Sequence, residues 1–288
     1  MFSTRKIGSI RGIDVYVHWT FWMLVAIYAL TEISRNGLAA GVETALFIGA
    51  VFACVLAHEF GHAAAAAYYG IKTTDITLMM VGGVARLASI PQRPIQELVI
   101  AVAGPAVNVV IGAVLFVALA FAALLFPEPS GSALTAMLFT QHLLIANIVL
   151  VVFNMLPAFP MDGGRVLRSL LAMRKGNLRA TEIAAKVGRW MAAIFAIAAI
   201  ALWELPLLLV AGFVYVAGSA ELMQVRLRSA GVGAGAEGPV RSPFATASHP
   251  FAGFTQNAAS PYEQFEFHTT RRDDVIDAVE VREVRRDS

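Results

Sequence analysis

His58-Glu59-Phe60-Gly61-His62 places one acid and two histidines inside an apolar run. The pattern is H-E-x-x-H. On a helix, residues i and i+4 share one face, so both imidazoles can reach one metal ion. Zinc accepts neutral imidazole nitrogen at about 2.0–2.1 Å. Glu59 stands beside the first histidine, where it can take a proton from a water that the metal acidifies. The plain alternative is a buried polar pair that holds helices together. Ionisable groups inside a membrane are costly and mark function by default, which favours the metal.

A catalytic zinc needs a third protein ligand. His18 opens an apolar run among aromatic residues, and His249 and His268 lie in a polar tail. His142, inside another apolar run, is the rival histidine. The segment "NMLPAFPMDGGR" (154–165) offers Asp162 instead. Pro157 and Pro160 cannot continue a regular helix. Unwound backbone near a membrane must be covered by protein or line a wet cavity, which suits a carboxylate brought to a metal. The alternative for Asp162 is a turn-former or helix cap before Arg165. Cys54 stands one helical turn before His58, as a buried small residue or a further ligand. Ala63 to Ala67 permit close helix packing, or leave room for a water path.

The elements that must position these groups are membrane helices. Of 288 residues, 58% are hydrophobic and only 15% charged. Ordinary soluble domains carry about 25% charge. The net charge of +2 shows no basic stripe, so no nucleic-acid partner is expected. A single cysteine excludes an intrachain disulfide and a cysteine-based zinc ribbon. Six apolar runs near 16–34, 42–69, 96–126, 133–156, 183–203 and 205–225 are long enough to span. The first reads as a retained span, because no small-residue cleavage site follows it.

Basic residues alternate between the loops. Arg5, Lys6 and Arg11, then Lys72, Arg86 and Arg93, then Arg165, Arg168, Arg174, Lys175, Arg179 and Lys186 fall on one side. The positive-inside rule makes that side cytoplasmic, with both termini. The protein is then multi-pass in the cell membrane. His58 lies about 24 Å along the second span at 1.5 Å per residue, in the cytoplasmic half. Asp162 falls just past the fourth span, which also runs inward, so the two can meet.

Between spans two and three, Ile76, Leu78 and Met80 alternate with Thr77 and Met79 before Gly82-Gly83. An ordinary loop would serve, but the pattern predicts a short hairpin at the membrane interface. The expected fold is an all-α polytopic membrane protein of about six transmembrane helices with that small β-hairpin. Residues 1–228 form the membrane domain. Residues 229–288, opening on "SAGVGAGAEGP", read as a flexible cytoplasmic tail without regular structure, or with a short surface helix.

The combination His58-Glu59-x-x-His62 with Asn154-x-x-Pro157-x-x-Pro160-x-Asp162-Gly163 resembles the site-2 protease family of intramembrane zinc metalloproteases. "AGPAVN" (103–108) resembles that family's Gly-Pro-x-x-Asn element. The resemblance covers residues 1–225 and implies one Zn2+ per chain on His58, His62 and Asp162, with Glu59 as general base. It implies that Asn154 steadies the oxyanion or the substrate backbone. Asn108 carries over in the same role, with interhelical hydrogen bonding as the alternative. The implied activity is cleavage of transmembrane segments of single-span or multi-span proteins in the lipid bilayer. An anti-sigma factor or other membrane-anchored regulator is a typical client. The chain departs from the family in lacking room for a PDZ insert, and its tail is too short for a CBS pair.

A transmembrane helix hides its carbonyls in internal hydrogen bonds, so a substrate must unwind before cleavage. The hairpin, through Leu78, Met80, Gly82 and Gly83, is expected to receive it by strand pairing. A membrane metal transporter, a metal-binding protein and a catalytically silent scaffold are the rival readings. A transporter has no need of Glu59 beside a histidine ligand, and a scaffold has none of the intact set.

Overall fold

The computed structural model describes residues 4–80, 82–89, 91, 93–229, 265–272 and 275–283. Helices dominate: α1 (Trp19–Asn36), α2 (Leu38–Tyr68), α3 (Pro94–Leu125), α4 (Gly131–Asn154), α5 (Asp162–Lys175), α6 (Asn177–Leu202) and α7 (Leu205–Ser229). Among the described residues, α2, α3, α4, α6 and most of α7 are long and apolar enough to cross a membrane. The first expected span survives only as the 18-residue α1 and is not among these five. Its last turns carry Thr31, Glu32, Ser34, Arg35 and Asn36, which lower its apolar character.

The expected hairpin exists as β3 (Thr73–Met79) and β4 (Gly82–Leu87), paired antiparallel. It belongs to a larger sheet. Strands β1 (Arg5–Ile10) and β2 (Ile13–Val17) precede α1, so Tyr16 and Val17 open no membrane span. Arg11 and Gly12 both take positive φ, 52° and 83°, as a two-residue hairpin turn requires. The sheet order is β1-β2-β3-β4, with β2 and β3 parallel.

Val17, Phe21, Phe52, Val55, Ile76 and Leu78 form one buried cluster between this sheet and helices α1 and α2. Phe21 and Phe52 meet edge to face at 4.6 Å. His18 caps α1: its backbone amide donates to Leu78 O at 2.8 Å, and its ring accepts from the Thr20 amide. The sheet is thereby fastened to the helix that carries His58.

Helix α5 was not expected as an element. With 14 residues it is too short to span, and its Arg165, Arg168, Arg174 and Lys175 read as loop. Its first residue is Asp162. Two turns on, the Arg168 guanidinium bridges Glu97 of α3 and Glu221 of α7, and stacks 5.3 Å from the Phe159 ring. The pair of carboxylates holds this guanidinium firmly charged although burial opposes it.

The chain divides into two compact units, Met1–Pro243 and Phe244–Ser288. Within the second, β5 (Phe265–Arg272) and β6 (Val275–Glu283) pair antiparallel. This hairpin replaces the irregular chain or surface helix expected there. Its Val275-Ile276, Val279 and Val281 are β-branched and favour strand. The expected linker from 230 lies outside the described residues.

Replacing Arg168 by Met should leave Glu97 and Glu221 facing each other without their cation. A loss of about 3 kcal/mol is expected, seen as a lowered unfolding temperature of the detergent-solubilised protein.

Candidate metal centre

His58 and His62 lie one turn apart on α2 and are 5% and 7% exposed. Each is held through its Nδ1 by α3. His58 Nδ1 lies 2.6 Å from Asn108 Oδ1, and His62 Nδ1 lies 2.6 Å from the carbonyl of Ile100. Both partners are oxygen acceptors, so both Nδ1 atoms donate. That leaves the Nε2 lone pair of each ring for a metal.

The two Nε2 atoms stand 3.0 Å apart, and Asp162 Oδ2 lies 3.1 Å from one and 3.2 Å from the other. Ligand atoms at tetrahedral zinc are separated by about 3.3 Å when each bond is about 2.0–2.1 Å. Two imidazoles and a carboxylate in this triangle form a donor set that fits Zn2+. Asp162 is the first residue of α5, where the helix N-terminus favours its carboxylate form.

His142, the rival third ligand, instead packs its ring 6.3 Å from Phe47, away from the cluster. Cys54 is buried and its Sγ accepts from the amide of Asn147 at 3.4 Å, which is the plain reading rather than that of a further ligand.

Two glycines permit the convergence. A Cβ at Gly104 would meet His62 Nε2 at 2.3 Å and His58 Nε2 at 2.7 Å. Helix α3 closes over the imidazoles only because this position has no side chain. A Cβ at Gly163 would meet the carbonyl oxygens of Met155 and Leu156 at 2.3 Å. The broken end of α4 therefore crosses tightly over the start of α5, which fixes Asp162.

The family model of peptidase family M50 matches residues 46–137 and 129–197. The chain belongs to peptidase family M50, the family of the site-2 proteases. It is similar to a zinc metalloprotease of Methanocaldococcus jannaschii, 36% identical over 224 residues, 78% of this chain and 62% of that one. It is also similar to stage IV sporulation protein FB of Bacillus subtilis, 29% identical over 54% of this chain and 46% of that one. The solved structure of the site-2 protease from Methanocaldococcus jannaschii superposes with a TM-score of 0.57 at 32% identity, covering 76% of this chain and 95% of that chain. The chain spans only 49% to 62% of the length of the curated relatives it matches first.

Against this M50 framework the remaining site residues sort clearly. Glu59 adjoins the cluster and packs against Gly83 of β4, whose added Cβ would lie 2.6 Å from Glu59 Cγ. The Ala85 amide of the same strand is within reach of its carboxylate. Asn154 ends α4 half-buried, and its amide donates to Leu150 O of its own helix at 2.9 Å. Asn108 is not where an oxyanion or substrate could use it. It is 1% exposed, its Oδ1 faces His58, and its Nδ2 donates to Asn147 Oδ1 at 2.8 Å. Both contacts run between helices, from α3 to α2 and to α4. Asn147 escaped the sequence reading, although a lone asparagine in the run "LIANIVL" was a usable signal for a buried polar contact.

The strand-pairing residues divide. Leu78 lies in β3, which has β2 on one side and β4 on the other. A substrate strand has no place beside it. The Met80 amide donates to Thr20 Oγ1 at 3.3 Å. Gly82 and Gly83 belong to β4, an edge strand of this sheet.

Gly104→Ala should abolish the site. Zinc content of the purified variant, measured by elemental analysis, is expected to fall to background while its helical content is kept.

Proposed function

We propose that this chain is an intramembrane zinc endopeptidase acting on membrane-anchored proteins. The observation that carries the reading is the placement of Glu59 beside the His58–His62–Asp162 triangle and against the edge strand β4. Zinc held by those three residues supplies Lewis acidity, acidifying a water and polarising a peptide carbonyl. Glu59 takes the proton from the attacking water and returns it to the departing amide nitrogen. Asn154, at the broken end of α4, steadies the substrate backbone.

The edge of β4 receives the unwound substrate. The Ala88 amide donates to Lys72 O at 2.8 Å, so amides alternate inward at even positions and outward at Gly83, Ala85 and Leu87. An extended peptide laid along that edge brings its carbonyls past Glu59 by strand addition. The distribution of basic residues among the loops supports cytoplasmic termini and a site in the cytoplasmic half of the bilayer. Clients are single-span or multi-span membrane proteins, with an anti-sigma factor or other membrane-anchored regulator the expected type.

Glu59→Gln should retain zinc and lose about 10²–10⁴-fold in cleavage rate of a reconstituted membrane substrate. Zinc retained with cleavage unchanged would favour the metal-binding or transport reading. In that same variant, cysteines placed at Val84 or Arg86 should form disulfides with a cysteine beside the scissile bond. Cysteines at Ile7 or Ser9 on β1, the opposite edge of the sheet, should not.

A further inference from the structure

Behind His58 runs a buried line of amides that the catalytic reading leaves unused. His58 Nδ1 meets Asn108 Oδ1 at 2.6 Å, Asn108 Nδ2 meets Asn147 Oδ1 at 2.8 Å, and Asn147 Nδ2 meets the Leu143 carbonyl at 2.9 Å. Asn108 and Asn147 are each 1% exposed. The line joins α2, α3 and α4 and ends on a backbone oxygen that can only accept.

That end gives the line a direction. A carboxamide has a donor side and an acceptor side. The Leu143 carbonyl demands the donor side of Asn147. The acceptor side of Asn147 then faces Asn108 and demands its donor side. The Asn108 oxygen is left for His58, which must carry its proton on Nδ1. The Nε2 lone pair is thereby committed to the site. Reversing any one amide would set donor against donor or acceptor against acceptor in a buried place, which burial makes unfavourable.

We propose that Asn147 is a positioning residue of the metal site, fixing the tautomer of His58 through the orientation of the Asn108 amide. Asn147 touches neither metal nor substrate. With an apolar residue at 147, Asn108 is free to turn its NH2 toward His58. The imidazole then accepts at Nδ1 and carries its proton on Nε2, where it blocks the metal. This rests on His58 being a zinc ligand. A simple role in holding α3 to α4 would give Asn147 the same contacts but no influence on the tautomer.

The test uses the full chain purified in detergent. Zinc affinity is measured by competition with a chelating dye, and 15N spectra of the histidine-labelled apoprotein read the His58 tautomer. Asn147→Leu is expected to weaken zinc about tenfold, the lower end for a partner that orients a ligand, and to shift His58 toward the Nε2–H form. Asn147→Met should do the same and serves if the leucine variant does not fold. In an Asn108→Asp background the carboxylate offers His58 an acceptor whichever way it turns. There Asn147→Leu should cost less than about twofold. An unchanged tautomer in the Asn147 variants overturns the proposal, as does an equal loss of zinc in both backgrounds. Absence of zinc binding by the unaltered protein would instead overturn the reading of His58 as a ligand.

Discussion

An imidazole can give a metal one nitrogen only while its other nitrogen carries a proton, and in this protein both such protons are committed to α3. Ile100 O and Asn108 Oδ1 hold His62 and His58 by Nδ1. These two acceptors, eight residues apart on α3, converge on two rings one turn apart on α2. The rest of the site follows from that contact. It requires α3 to press onto the imidazoles, which Gly104 allows and no larger residue would. Once the two lone pairs converge, a single anion completes the triangle. The broken end of α4 and the short α5 deliver it.

Such a site is tolerable inside an apolar bundle because its polar groups satisfy one another. A buried donor or acceptor without a partner costs about 1–3 kcal/mol. Among the described residues, only Thr73 Oγ1 is a buried side-chain polar atom without a hydrogen-bond partner. His58, His62, Asn108, Asn147 and Asp162 all have partners. Arg168 applies the same logic to charge, with two carboxylates around one guanidinium. It ties α5 to α3 and α7, and so secures the helix whose first residue is Asp162. Ligand geometry and helix packing are therefore one problem here.

What could be read from the sequence was what short-range chemistry writes locally. H-E-x-x-H is a statement about one helical turn. Pro157 and Pro160 announce a break wherever they stand. The apolar runs carried the six long helices to within about six residues, the start of α6 at Asn177 lying furthest from its run. The misses are non-local. Strand β2 pairs in parallel with β3 across the whole of α1 and α2, and nothing near Tyr16 records a partner so far along the chain. Its apolar residues looked like the start of a span. Helix α5 lacked the length that marks a span and had the basic residues that mark a loop. Asn147 gained its meaning only from Leu143 and Asn108.

The hairpin shows most sharply where local pattern stops. Alternation around Gly82-Gly83 revealed two strands but not which of them would be the edge. That depends on β2, which fills the far side of β3 and leaves β4 at the edge of the sheet. The same insertion fastens β3 into the cluster of Phe21, Phe52, Ile76 and Leu78. An edge can receive a foreign strand in register only if the strand behind it is fixed, since register carries the position of every carbonyl. Three strands and two helices thus brace one six-residue edge. On the function proposed, a peptide placed by its backbone alone needs no particular side chains, and selection falls on its readiness to unwind.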